Sequence, residues 1–143
     1  MNTLRLVAIV PTALAMSLVF TEANLAQKPT IQINRNFQRD PLILNGKSGG
    51  TVKSNCGNIT TAPNQVIQVT ESLPYLRLTV ESQGKPTLLI DGPGGRFCVM
   101  PDSYSGGKPE LSGYWQAGKY LLYVGEISQL EYSYTLSISQ KNK

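Results

Sequence analysis

The chain has 143 residues, enough for one domain of ordinary size and too few for two. Lys and Arg number 13 against 9 Asp and Glu, giving a net charge of +4, but the basic residues are spread singly, so no nucleic-acid partner is predicted. Histidine is absent, which excludes nucleophile systems and general bases that rely on His, and zinc sites with imidazole ligands.

The first 26 residues have the pattern of a signal peptide. Arg5 gives a short, weakly basic start, an apolar stretch covers 6–20, and small residues follow. The alternative is a membrane anchor that stays attached, but the stretch is shorter than the roughly 20 residues that a span needs, and it contains Pro11. We therefore predict cleavage after Ala23 or after Ala26, no membrane span afterwards, and a secreted or periplasmic protein.

The mature chain shows the alternation that is typical of β-strands. Apolar and polar residues alternate in short segments separated by Gly-rich and Pro-rich turns. In 132–138, Tyr and aliphatic residues share one face and Ser or Thr the other. The sequence predicts a single antiparallel β-sandwich of about eight strands over 41–143. The more polar segment 27–40 is predicted to be an extended N-terminal arm, and 100–113 a long loop.

Cys56 and Cys98 are the two cysteines of the chain, so only one intramolecular disulfide can form. Each lies in or at the end of a predicted strand, and neighbouring strands bring Cα atoms within bonding range. The predicted signal peptide sends both to a compartment where disulfides persist. We predict a Cys56–Cys98 disulfide; the alternatives are unrelated buried thiols, a bridge between chains, and thiols kept reduced for reactivity.

A loose set of motifs covers the second half of the chain. An L-x-L-x-V strand at 76–80 is followed by TLLIDGPGG at 87–95, a strand containing Cys98, Gly-Lys-Tyr at 118–120 and a last strand at 134–138. This pattern resembles the bacterial pre-peptidase C-terminal domain family. The resemblance implies a jelly-roll-like sandwich, a non-catalytic role, and an extracellular protein or polysaccharide as partner.

Some members of that family bind calcium through acidic residues near the sheet edges. Where relatives often carry a pair of acids, this chain has Pro101-Asp102-Ser103, with only one. Because calcium takes six to eight oxygen ligands, we predict no tight site and no cofactor. At most, Asp102 binds calcium weakly together with Asp91 or Glu110.

Aromatic residues are concentrated in the C-terminal part of the chain. Tyr104, Tyr114 and Trp115 lie on or beside the predicted long loop. With Asp102 and Glu110, they are the candidate ligand-binding residues, because exposed aromatic rings offer rigid contact area with a polar tip. Packing in the core is the alternative for each aromatic residue.

Nothing in the sequence predicts a catalytic residue. Glu126 and Glu131 flank one turn and are predicted to be solvated charges. The alternation predicts a structural role for Tyr134, and the family resemblance implies one for Tyr120 in the Gly-Lys-Tyr motif. We predict a secreted, non-catalytic binding or structural module. The alternative is an accessory or inhibitor of a separately encoded extracellular peptidase or other hydrolase, and an acid-pair hydrolase comes third.

Overall fold

The computed structural model describes residues 29–142 with the exception of residue 38. The predicted signal peptide lies outside the described residues. No helix within the described part of the chain has the length and hydropathy of a membrane span. The described residues form eleven strands: β1 (Ile31–Ile33), β2 (Leu42–Lys47), β3 (Val52–Ser54), β4 (Gly57–Ile59), β5 (Gln65–Val69), β6 (Leu73–Ser82), β7 (Pro86–Gly92), β8 (Gly95–Val99), β9 (Glu110–Trp115), β10 (Gly118–Glu126) and β11 (Ser133–Ser139).

These strands form two sheets. In the large sheet, β10 is central, with β7 and then β8 on one side, and β5 and then β1 on the other. The β3–β4 hairpin pairs with the C-terminal end of β10. The small sheet has the order β2-β11-β6-β9. All strand pairs except β1–β5 are antiparallel, so the predicted β-sandwich is confirmed, with eleven strands rather than about eight.

Two of the additional strands come from the first half of the chain. β1 lies within the segment predicted as an extended arm, and it pairs in parallel with β5. Asp40, at the end of that segment, accepts hydrogen bonds from the Ser139 hydroxyl and the Gln140 backbone N–H. β4 arises because the chain turns back at Cys56, where the sequence predicts the end of a strand.

The third additional strand, β9, corrects the prediction of a loop over 100–113. The loop contains a short 3₁₀ helix at Ser103–Ser105 and ends before Glu110, where β9 begins. On β9, Leu111 and Trp115 face inward while Ser112 and Tyr114 face outward. The inward position between Leu111 and Trp115 is a glycine, so the apolar alternation of this strand is incomplete in the sequence.

The main core lies between the two sheets and follows the predicted alternation. On β11, Tyr134, Leu136 and Ile138 are buried, and the Ser and Thr residues between them are more exposed. The other fully buried side chains of this core, each with at most 1% exposure, are Ile33, Ile67, Val69, Leu73, Leu76, Leu78, Val80, Leu88, Ile90, Leu122 and Val124.

A second, smaller cluster covers the outer face of the large sheet. Leu89 and Tyr123 point away from the main core and pack with Ile59 and Cys56. Cys56, in the turn between β3 and β4, is bonded to Cys98 on β8, with Cα atoms 5.6 Å apart. The disulfide therefore joins the β3–β4 turn to the edge of the large sheet, across this cluster.

Glu126 ends β10 in a buried position, with 1% of its surface exposed. The prediction of a solvated charge is therefore wrong for this residue. Its two carboxylate oxygens accept hydrogen bonds from the Lys85 N–H at 3.0 Å, and one of them also accepts from the N–H and hydroxyl of Ser128 at 3.2 and 2.8 Å. These bonds compensate for the loss of hydration and tie two turns to the end of β10.

Candidate functional site

One side of the sandwich contains a cleft between the edge strand β8 of the large sheet and the edge strand β9 of the small sheet. This cleft has a volume of about 340 Å³. We call it the aromatic cleft, because four of its lining side chains are aromatic. The main contributors are Ile90 and Phe97 from the β7–β8 hairpin, Leu111, Tyr114 and Trp115 from β9, and Tyr120 from β10.

Trp115 and Tyr120 form the buried wall of the aromatic cleft. Their ring centroids are 4.7 Å apart, with the planes inclined by 57°, an arrangement that is favourable for aromatic pairs. The Tyr120 hydroxyl donates a hydrogen bond of 2.7 Å to the Gln116 carbonyl. Burial, and to a smaller extent the neighbouring Tyr114, raise the pKa of Tyr120, so this side chain is neutral at physiological pH.

Two glycines allow this wall to form where β7 and β10 meet. A Cβ atom at Gly92 would lie 2.2 Å from the Tyr120 ring, so only glycine permits the ring to pack over the backbone of β7. Gly118, with a φ of +149°, lies against Pro93, whose Cγ atom would be 2.4 Å from an added Cβ. The turn of the β7–β8 hairpin is thereby held against the start of β10.

Phe97 and Tyr114 form the exposed rim of the aromatic cleft. Phe97 on β8 is 51% exposed, and Tyr114 on β9 is 67% exposed. The Tyr114 hydroxyl donates to the Ser72 hydroxyl at 3.1 Å, which orients the ring beside the opening. Exposed aromatic rings next to a pre-formed apolar cavity are typical of binding sites.

The lining of the aromatic cleft is uncharged. Among the described residues that line it, none carries a charge at neutral pH, and the polar side chains are the tyrosines, Ser112 and Gln116. A charged group entering the cleft would lose hydration without gaining an ionic partner. The cleft is therefore suited to an uncharged ring or an aliphatic group.

The structure brings together two of the five residues that the sequence predicts as ligand-binding. Tyr114 and Trp115 both line the aromatic cleft, although Trp115 is only 5% exposed and also packs in the main core. Tyr104 is 97% exposed on the loop before β9, and it is not among the cleft residues.

The two predicted acidic ligands have separate structural roles. Asp102 caps the 3₁₀ helix, where its Oδ1 atom accepts from the Tyr104 N–H at 2.8 Å. Glu110 faces outward from the small sheet and accepts from the Thr79 hydroxyl at 3.3 Å. Among the described residues, no group of three or more Asp, Glu, His or Cys side chains has the arrangement of a metal site. The calcium prediction therefore remains a prediction.

Phe97 is the aromatic side chain of the cleft that the sequence analysis does not single out. Its segment is predicted as a strand, but nothing local indicates that this strand lies at a sheet edge. Alternation places Phe97 on the same face as Val99, whose side chain packs against the main core. The sequence signal that could have identified Phe97 is its alternation with Val99, close to the Gly-rich turn at 92–95.

The pre-peptidase C-terminal domain of collagenase from Bacillus anthracis aligns with a TM-score of 0.52 and 15% identity, covering 81% of this chain and all of that domain. This similarity concerns the fold, and it supports the predicted resemblance at that level only. PliG of Salmonella Typhimurium, a periplasmic inhibitor of g-type lysozyme, aligns with a TM-score of 0.46 and 16% identity over 80% of this chain and all of PliG.

Sequence comparison gives a more specific result. No family model matches the chain. A protein of Synechococcus elongatus, Synpcc7942_2126, is 38% identical over 120 residues, which cover 81% of this chain and 86% of the relative. Identity of this extent over most of both chains shows common descent, so this chain belongs to the same protein family as Synpcc7942_2126.

Proposed function

We propose that this protein is a non-catalytic binding module of the extracytoplasmic space, and that its ligand enters the aromatic cleft. The observation that carries the proposal is the cleft itself, an uncharged cavity with two exposed and two buried aromatic rings. Its volume is within the range of sites that take a small ligand or one large side chain.

The distribution of exposed apolar side chains supports the same site. Six large apolar side chains of the described residues are at least 45% exposed, and four of them come from 97–114, the segment that leads from β8 into β9: Phe97, Met100, Tyr104 and Tyr114. Phe97 and Tyr114 line the cleft, and the other two exposed side chains, Ile43 and Leu130, lie elsewhere. Large aromatic side chains are enriched among the residues that contribute most to binding energy. Covering this segment with a partner would remove apolar surface from water, at roughly 25 cal/mol per Å².

The proposed compartment rests on two observations. The N-terminal pattern is that of an exported precursor. The Cys56–Cys98 disulfide is the kind of bond that persists outside the reducing cytoplasm. The alternative role predicted from the sequence, an accessory or inhibitor of a hydrolase, corresponds to the case in which the ligand of the cleft is an extracellular protein.

The test uses the single tryptophan of the chain, Trp115, as an internal reporter. Titrating the exported protein with N-acetylphenylalaninamide, an uncharged aromatic probe, should give a saturable change in Trp115 fluorescence. Benzoate, a charged ring of similar size, should bind more weakly because no cation lines the cleft. Phe97→Ala should weaken binding of the uncharged probe about tenfold, since the rim ring is lost.

Tyr104→Ala is the matched control for Phe97→Ala. Both changes remove an exposed aromatic side chain, but Tyr104 lies outside the aromatic cleft. Binding by the Tyr104→Ala variant should equal that of the wild type. No saturable fluorescence change with the uncharged probe, or equal losses in the two variants, would show that the cleft is not the binding site.

A further inference from the structure

Strand β9 has hydrogen-bonding capacity that the described structure does not use. It pairs with β6 along one edge, and within the described residues no strand pairs with its other edge. In the β6–β9 pair, residue 79 lies opposite 110, residue 78 opposite 111, and residue 77 opposite 112. One step further along, the Val80 N–H donates to the Pro109 carbonyl at 3.0 Å. Backbone groups alternate in direction along an antiparallel pair, so the N–H and C=O groups of Glu110 and Ser112 point away from β6.

Three of the other four edge strands in the described structure have features that discourage pairing, whereas β8, like β9, has neither Pro nor Lys. Strands β1 and β3 are three residues long, and β2 follows Pro41 and ends at Lys47. Short length, Pro and Lys are common devices that prevent another strand from pairing with an edge. Over its six residues β9 has neither Pro nor Lys, and Glu110 is its one charged residue.

The unpaired edge of β9 borders the aromatic cleft. Neighbouring residues on adjacent strands share a face of the sheet. A strand added beside β9, at the usual spacing of about 4.8 Å, would therefore direct the side chain opposite Leu111 inward, into the space between β9 and β8. Leu111, Phe97 and Trp115 line that space. The unpaired backbone groups of β9 and the side-chain pocket therefore lie close enough for one extended peptide to contact both.

We propose that the ligand of this module is an extended, uncharged peptide segment of another protein, which adds to β9 as a fifth strand of the small sheet and inserts an apolar side chain into the aromatic cleft. This inference rests on the proposed function and specifies its ligand class. Main-chain hydrogen bonds to Glu110 and Ser112 give affinity, and the cleft selects the inserted side chain. A peptide is favoured over a sugar because a sugar ring would leave the backbone groups of the edge unused.

The first test uses a short peptide with blocked termini, in which Thr alternates with Val, and two N-methylated versions of it. In one version the methyl groups are on one set of alternate amides, and in the other on the remaining set. Only one set can face β9, so we expect one version to lose binding at least tenfold and the other to bind like the parent. Binding is followed by Trp115 fluorescence and by amide chemical-shift changes at Glu110 and Ser112.

The second test changes the edge itself. Ser112→Pro removes an N–H that is outside the β6–β9 ladder, so the fold is expected to be retained while the peptide loses a partner. Ser112→Thr keeps the N–H and is the matched control. Peptide binding should fall at least tenfold in the first variant and remain within about twofold in the second. If Ser112→Pro does not fold, the N-methylated peptides still test strand addition to β9 on the wild-type protein.

The outcomes separate this inference from the proposed function. If N-acetylphenylalaninamide binds in the cleft but both N-methylated peptides bind like the parent, strand addition is wrong and the cleft remains a binding site. Binding of neutral oligosaccharides with no binding of the parent peptide would overturn the peptide in favour of a glycan. A dimer that Ser112→Pro dissociates would overturn it in favour of a second copy of this chain. If neither the small probe nor the peptide binds, both proposals fail.

Discussion

Strand β10 joins two regions of opposite chemistry, roughly 20 Å apart along the strand. At its C-terminal end, the buried carboxylate of Glu126 holds the turns at Lys85 and Ser128. At its N-terminal end, Tyr120 contributes to an uncharged cleft with exposed rings at its rim. We call these the closed end and the open end of the sandwich.

The difference lies in how each end satisfies its buried groups. At the closed end, polar groups from distant parts of the chain pair with one another; for example, the Asn64 side chain accepts from the Val124 N–H and donates to the Lys47 carbonyl, at 2.8 and 3.1 Å. Little capacity is left there for a ligand. At the open end, the Phe97 and Tyr114 rings are exposed, and one edge of β9 has no strand paired with it among the described residues. Under the proposed function, the closed end contributes stability and the open end binds the ligand.

The largest effect on stability is expected from a residue at the open end, so the division of roles between the two ends is not complete. Trp115 lines the cleft but is 5% exposed, so Trp115→Ala should lower the free energy of unfolding by about 3–5 kcal/mol. Phe97→Ala, at a half-exposed position of the same cleft, should cost about 1 kcal/mol. Urea unfolding followed by circular dichroism measures both. Similar costs for the two variants would mean that Trp115 is not part of the core.

Removal of the disulfide is expected to have the next largest effect on the free energy of unfolding. Cys56 and Cys98 are 42 residues apart, and opening a loop of this size should cost about 4 kcal/mol in the chain-entropy model. The double variant Cys56→Ser/Cys98→Ser should show this loss in guanidinium unfolding. Dithiothreitol should destabilise the wild type by a similar amount and leave the double variant unchanged. Two alkylated cysteines in the unreduced exported protein would contradict the disulfide itself.

A smaller loss is expected at the closed end. Glu126→Ala leaves the N–H groups of Lys85 and Ser128 without their acceptor, which should cost about 2–4 kcal/mol. Glu126→Gln keeps one acceptor oxygen and should cost less. If the two ends are independent, probe binding at the cleft should be unchanged in the folded fraction of either variant. Weaker binding would show that the closed end also positions the open end.

The smallest effect concerns alkaline pH. Burial raises the pKa of Tyr134 above the ordinary tyrosine value, an effect that the hydrogen bond from Gln65 partly offsets. Because the pKa is higher in the folded state, this contribution to stability is complete below about pH 10 and is lost as the pH rises further. Thermal unfolding above pH 10 should therefore show a steeper fall for the wild type than for Tyr134→Phe, which costs about 1 kcal/mol at neutral pH. Equal slopes would contradict the raised pKa.

Much of the fold could be predicted because alternation is a local property. The residues of β11 show which side chains are buried without reference to any other strand. The same reasoning fails at β9, where Gly113 occupies an inward position. It also fails at β1 and β4, which are three residues long and too short to show a period. Local patterns also identified Tyr114 and Trp115, but as residues on or beside a loop.

The β-sandwich, the single possible intramolecular disulfide and the absence of histidine chemistry follow from the amino-acid sequence, because composition needs no structure and period-two patterns depend only on near neighbours along the chain. Tertiary structure alone decided that β8 and β9 are edge strands, because edge position depends on which distant segments pair. Because β8 is an edge strand, Phe97 lies at the rim of a cleft rather than inside a sheet. It also makes Glu126 a buried acceptor, since the groups that bind it come from two separate turns and only meet when the sheets have formed.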